Sequence, residues 1–143
     1  MKPRFPMGEV KVKVRLTNAM DEALARRKRL ARSKIRSLEV TALVDTGAIC
    51  SVLPPQVVDK LGLELTRHRV AEYADGRKDN VGVTEAVIFD VLGRETNEEA
   101  LVLGDEVLIG QTVLEKLDLL VDCANQKVIP NPAHPDQPVV KVR

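Results

Sequence analysis

An all-β fold with a few short helices is predicted by three observations. Glu9–Leu16 (EVKVKVRL) alternates charged and apolar residues strictly, the period of a half-buried strand. Further apolar or alternating runs recur along the chain, separated by turn signals such as Asp75-Gly76 and Gly104-Asp105. Helical periods, by contrast, are confined to three short stretches. The 143 residues, 44% apolar and 30% charged, match one ordinary globular domain.

The elements follow in order. Val10, Val12, Val14 and Leu16 share one face of the first strand. From Asn18 or Asp21, either of which is a good N-cap, to about Ser33, Met20, Leu24 and Ala31 recur at helical spacing. This predicts a helical excursion over residues 19–36. Ser37–Val44 (SLEVTALV) turns apolar on both faces in its second half and is expected inside the sheet. After a short apolar piece, Ile49–Leu53, Pro54-Pro55 opens a helix (QVVDKL) that Gly62 closes. Leu65–Tyr73 is read as a strand, Asp75-Gly76 as a hairpin turn and Asn80–Leu92 as one long return strand. Strands at Glu99–Leu103 and Val107–Ile109 precede a helix at Gln111–Leu117. A last hairpin pairs Leu119–Cys123 with Val128–Pro130 around Ala124–Lys127. Residues 131–143, with Pro132, Pro135 and Pro138, are expected to form an extended arm, leaving 1–130 as the folded domain.

Composition excludes several classes of function. The aromatic residues are Phe5, Tyr73 and Phe89, too few to stack successive bases or sugars. The net charge of +1 conceals an imbalance: residues 1–53 hold 12 Lys/Arg against 5 Asp/Glu, and the remainder 10 against 16. Seven cations fall between Arg26 and Arg36, which reads as a solvated helix face, with nucleic-acid binding ranked last. Cys50 and Cys123 lie in no CxxC or Cys/His cluster, so no metal is expected. No apolar window reaches the roughly 18 residues of a membrane span, and MKPRFPMGEV lacks a signal-peptide core, so a cytoplasmic location is expected.

The informative segment is Ala42–Pro54, ALVDTGAICSVLP. Asp45 ends a run of buried strand residues, where an ionised carboxylate costs several kcal/mol unless compensated. Thr46 brings a hydroxyl, Gly47 permits a sharp turn, and Ala48 leaves room, so a carboxylate ringed by backbone N–H donors is expected. A bare Asp-Thr-Gly is an ordinary Asx turn or cap. Here an apolar strand precedes it, a second follows it, and about sixty residues on Val107-Leu108-Ile109-Gly110 leads into another helix.

With these parts in this order, residues Glu9 to Pro130 resemble the retropepsin-like aspartic proteases, the single-domain family that includes retroviral proteases and bacterial and archaeal relatives. ALVDTGA resembles the catalytic loop, the hairpin around Ala74-Asp75-Gly76-Arg77 the flap, and VLIGQTVLEKL the hydrophobic-hydrophobic-glycine block with its helix. The resemblance implies an acid-protease barrel with one lobe per chain, working as a homodimer without a cofactor. It makes Asp45 the catalytic aspartate, Thr46 the residue locking the two loops across the dimer, and Gly47 a contact to substrate backbone. Ala48, Tyr73, Ala74, Asp75, Gly76, Ile109 and Gly110 would then meet the peptide. The chain departs from the retroviral pattern at Ile49 and Gln111, where an acidic residue and an arginine form an ion pair. Its flap tip keeps one glycine, Gly76, and residues 19–36 replace a shorter loop.

The chemistry agrees with the resemblance. Metal-free peptide hydrolysis without a covalent intermediate needs one carboxylate to take a proton from water and another to protonate the carbonyl oxygen. In aspartic-protease dyads two such groups about 3 Å apart share one proton and titrate as a unit. The chain has a single Asp-Thr-Gly, so the second carboxylate must come from the Asp45 of a twofold-related copy. Activity is expected to be highest at mildly acidic pH, and Tyr73 either walls a subsite or packs. A catalytically weak peptide-binding or dimerisation module of the same fold is the alternative. Cys50 is read as a redox-sensitive neighbour of the site or a small buried filler, and Cys123 as structural. His68, His134, Asp118 and Asp122 are read as surface groups.

Overall fold

The computed structural model describes residues 9–142. The strands are β1 (Val10–Asn18), β2 (Ser37–Val44), β3 (Val52–Leu53), β4 (Leu65–Glu72), β5 (Lys78–Thr84), β6 (Val87–Val91), β7 (Arg94–Glu98), β8 (Leu101–Val102), β9 (Leu108–Ile109), β10 (Leu119–Asp122) and β11 (Lys127–Pro130). The helices are α1 (Ala19–Arg26), α2 (Pro55–Leu61) and α3 (Gln111–Leu117), with a 3₁₀ turn at Arg32–Lys34. Nine strands form one curled sheet in the order β4-β5-β8-β3-β9-β2-β1-β6-β7, and β10 pairs with β11 separately. Among the described residues no helix is long and apolar enough to cross a membrane.

The sheet closes on an aliphatic core. Val10, Val14 and Leu16 of β1 are buried as their alternation requires, and Ala42, Val44, Val87, Phe89 and Ile109 meet them from neighbouring strands. Burial of each large side chain contributes about 1.5–3 kcal/mol, and α2 and α3 add Val57, Val58, Leu61, Val113, Leu114 and Leu117. β2 lies inside the sheet, between β1 and β9, as its two-sided apolar character predicts. Gly62 stops α2 in the left-handed conformation (φ 62°), as the Pro-first, Gly-after pattern implies.

Three elements differ from the sequence reading. The return strand breaks at Glu85 and Ala86: β5 pairs with β4 and β8, whereas β6 pairs with β1. Thr84 makes the change of partner possible, because its N–H donates to Ala100 O (2.9 Å) and its Oγ1 accepts from Ala100 N (3.0 Å). β7 is absent from the prediction. Its sequence, RETNE, has no apolar alternation because its inward positions are Arg94, Thr96 and Glu98, and its turn uses Leu92 (φ 55°) and Gly93 (φ 82°), a pair of left-handed residues without the usual Asn or Asp. The helical excursion is shorter than its periodicity suggested. α1 stops at Arg26, Lys28 takes φ 61°, and the 3₁₀ turn returns the chain to β2.

This excursion is pinned from both ends. The Asn18 side chain accepts from Asp21 N (3.0 Å) and its Nδ2 donates to Leu61 O (2.8 Å), joining the α1 cap to the end of α2. Asp21, with a side chain 6% exposed, accepts from Arg36 Nε (2.9 Å), Nη2 (3.0 Å) and backbone N (2.9 Å). These side-chain bonds from Arg36 hold the Asp21 carboxyl below its usual range. Asp21→Asn is expected to destabilise the fold by about 1–2 kcal/mol at neutral pH, a cost moderated because the half-exposed guanidinium can rehydrate. A group with a depressed folded pKa stabilises fully above its unfolded value of about 3.9 and ceases to do so as pH falls through the folded value. The wild-type advantage should therefore shrink below about pH 4 in denaturant titrations, and a gap constant from pH 7 to 3 would refute it.

Asp118 and the residues after β11 also differ from expectation. Rather than facing solvent, Asp118 is 12% exposed at the side chain and takes the left-handed C-cap of α3. Its carboxylate accepts from Asn131 Nδ2 (2.9 Å) and Val139 N (3.0 Å) and meets His134 Nδ1 at 2.6 Å. Asn131, foremost among these, lowers the Asp118 pKa. Residues 131–137 turn rather than extend, and Arg94 clamps them by donating to Leu117 O, Asp118 O and His134 O.

Candidate active site

Three strand ends build the site. β2 carries the chain to Asp45, the loop 45–51 turns back, and β3 leaves it. β9 enters between them, parallel to β2 (Leu43↔Leu108, Val44↔Ile109) and antiparallel to β3 (Val52↔Leu108). The sheet order β3-β9-β2 thus threads the Val107–Gly110 block beneath the Asp-Thr-Gly loop. Asp45 N donates to Ile109 O (2.9 Å), Ala48 N to Asp45 O (3.1 Å), Gln111 N to Ala48 O (2.7 Å) and Thr112 N to Ile49 O (3.2 Å). Two hydroxyls complete the lock: Thr112 Oγ1 donates to Ile49 O (2.9 Å), and Ser51 Oγ accepts from Gly110 N (2.9 Å).

The Asp45 carboxylate is held lightly. Oδ1 accepts from Gly47 N (3.0 Å), and Oδ2 has no hydrogen bond from a described residue, so one donor takes the place of the expected ring. Partly exposed, Asp45 stands on the wall of an open cleft of ≈ 750 Å³. Apolar walls come from Val52, Leu101, Leu103 and Leu108, and the far side from Arg69–Ala74 at the end of β4. A carboxylate in that position keeps lone pairs available for a water or substrate group.

The other predicted residues divide into two sets. Gly47, Ala48, Tyr73 and Ala74 line the cleft with Asp45. Thr46 is exposed on the loop, and Asp75 and Gly76 are exposed at the hairpin tip. The tip is ordered by its own residues: Gly76 takes φ 85°, Arg77 N donates to Asp75 Oδ1 (2.9 Å), and the Arg77 guanidinium lies 4.3 Å from the Tyr73 ring centroid. Tyr73 therefore both walls the cleft and packs. Ile109 and Gly110, expected to meet substrate, lie beneath the loop instead. Ile109 is fully buried, and a Cβ at Gly110 would fall 2.7 Å from Cys50 C and O. Their contribution is to hold the loop from below.

Ile49 and Gln111 carry no ion pair: Ile49 is 75% exposed, and Gln111 Nε2 donates along its own helix to Glu115. Cys50 and Cys123 are both exposed, so Cys50 is not a buried filler. Ser51 and Thr112 were missed as loop-fixing groups. A hydroxyl just before the strand that leaves the Asp-Thr-Gly loop, and another two residues after Gly110 in the first turn of α3, are the signal that could have found them.

A family described as "gag-polyprotein putative aspartyl protease" matches residues 31–116, more than half of the chain. No curated protein matches. Among solved structures, the retroviral protease-like domain of Ddi1 from Leishmania major is similar over 86% of this chain and 90% of that one, with 16% identity and a TM-score of 0.53. EIAV protease in complex with the inhibitor HBY-793 is similar over 54% of this chain and 75% of that one, with 23% identity and a TM-score of 0.45.

Proposed function

Because the chain belongs to the retropepsin-like aspartyl protease family of the gag-polyprotein type, we propose that it is an aspartic endopeptidase whose working unit is a homodimer. The observation that carries this reading is the Asp45 carboxylate, lightly held and open to a cleft of ≈ 750 Å³. One such carboxylate is half of a general acid–base pair, and the single Asp-Thr-Gly leaves a second copy of Asp45 as its complement. The 75%-exposed Ile49, four residues beyond Asp45, supplies an apolar contact beside the twofold axis where the retroviral pattern has an ion pair.

In this mechanism the two Asp45 side chains share a proton and hold a water between them. The ionised partner takes a proton from that water as it attacks the peptide carbonyl, and the protonated partner donates to the carbonyl oxygen. Thr46 acts across the dimer, and Gly47 and Ala48 lie along the peptide backbone. The Tyr73–Gly76 hairpin closes over the substrate, and the exposed edge of β4 is available to pair with it.

The test is cleavage of a peptide library at mildly acidic pH, read by mass spectrometry, with a pepstatin-type statine inhibitor and serial dilution of enzyme. Inhibitable cleavage whose specific activity falls on dilution, in step with dissociation measured by sedimentation, is the expected result. Specific activity independent of concentration in a monomer would overturn the shared dyad. Peptide binding without turnover would replace the enzyme with the catalytically weak binding module.

A further inference from the structure

We infer that Arg69 selects an acidic side chain of the substrate, an inference that rests on the peptidase reading above. A side pocket of ≈ 100 Å³ adjoins the main cleft, and Cys50, Arg69 and Leu101 line both. Its apolar walls are Val83, Ala100, Leu101 and Val113. The space is on the scale of one side chain, next to the loop that bears Asp45. Arg69 faces it because β4 pairs Arg69 with Val81 and Arg67 with Val83, both buried, so the two arginines share the inner face of the hairpin.

Charge decides what fits there. Arg67 and Arg69 share one carboxylate, Glu99: Arg67 bonds its Oε2, leaving Arg69 3.9 Å from Oε1, beyond hydrogen-bonding distance. Glu98, which also lines the pocket, is paired with Lys116. Glu72, paired across the hairpin with Lys78, lines the main cleft but not this pocket. The two carboxylates that line the pocket are thus taken up by cations outside its lining, Glu99 by Arg67 and Glu98 by Lys116, and the lining cation, Arg69, hydrogen-bonds neither and has a side chain 57% exposed. Its planar guanidinium can take a carboxylate bidentately. The surrounding aliphatic wall accepts the methylenes of a glutamate.

The experiment compares peptides that differ only by Glu, Gln or Lys at each position near the scissile bond, with kcat/KM measured for wild type and Arg69 variants. At one position wild type should prefer Glu to Gln by roughly tenfold. The ratio should fall to about one in Arg69→Gln, survive in part in Arg69→Lys and give way to a Lys preference in Arg69→Glu. Thermal melts confirm that each variant is folded. A Glu/Gln ratio equal in wild type and Arg69→Gln, or a wild-type preference for Lys, overturns the inference while Asp45-dependent cleavage stands. Loss of Asp45 dependence for every peptide instead removes the peptidase reading, and the inference with it.

Discussion

Asp45→Asn should reduce kcat/KM for any cleaved peptide by roughly 10³–10⁴-fold while leaving the fold intact. Asparagine is isosteric, and its Oδ1 can accept the Gly47 N–H as the carboxylate does. What disappears is the ability to exchange a proton at either member of the pair, so neither water activation nor carbonyl protonation remains. Little change in melting temperature is expected, because the carboxylate makes no ion pair among the described residues. The sharper form of the experiment mixes wild type and Asp45→Asn in equal amounts after dissociation. If each site needs both copies, about one quarter of the reassembled dimers keep two aspartates, and activity falls to about one quarter of the fully wild-type sample at equal total protein. Retention of one half would show that each chain works alone, contradicting the shared dyad.

Legibility followed the physics of each element. β1 and β2 were read correctly because their faces are set by burial, and burial writes a period into the sequence. The Asp-Thr-Gly loop was legible because a polar triplet between two apolar strands has few structural explanations. β7 was not, since the residues it turns inward are Arg94, Thr96 and Glu98, so its burial alternates without writing an apolar period into the sequence. The break at Glu85 was hidden for a different reason: β5 and β6 each have proper strand composition, and only the change of partners from β4 and β8 to β1 divides them.

The far wall of the cleft was less legible than the Asp-Thr-Gly loop. Tyr73 and Ala74, which line the cleft, were reached from the hairpin signal, but Arg69, which lines it too, was not, because its placement depends on β4 register and on competition with Arg67 for Glu99. Asp118 illustrates the same limit. Next to an apolar strand it reads as a surface charge, yet three donors from residues 131–139 converge on it. Such convergence is a property of tertiary structure and leaves no local pattern.

Gly110→Ala should be the most damaging small substitution near the site, lowering stability by about 3 kcal/mol and the melting temperature by roughly 10 °C. Backbone conformation is not the cause: φ −89° and ψ 176° suit any residue. The cause is space. An added Cβ would lie 2.7 Å from the carbonyl carbon and oxygen of Cys50 and 2.8 Å from Ile49 O, all main-chain atoms that no rotamer change can move. Relief requires separating the loop from the Gly110–Thr112 turn, which strains the bonds from Gln111 N to Ala48 O and from Gly110 N to Ser51 Oγ. The Asp45 N to Ile109 O bond lies one residue away, so Asp45 itself would shift. Activity should therefore fall more than stability requires, remaining at least tenfold low well below the melting temperature, since a displacement of about 1 Å costs on the order of 10²-fold in a positioned site. Gly104→Ala is the control, because its Cβ would meet nothing within 4 Å and only its φ of 73° opposes the change, at about 1 kcal/mol. Calorimetry and peptide hydrolysis on the two variants separate the cases. Wild-type melting and turnover in Gly110→Ala would mean that β9 does not run beneath the Asp45 loop.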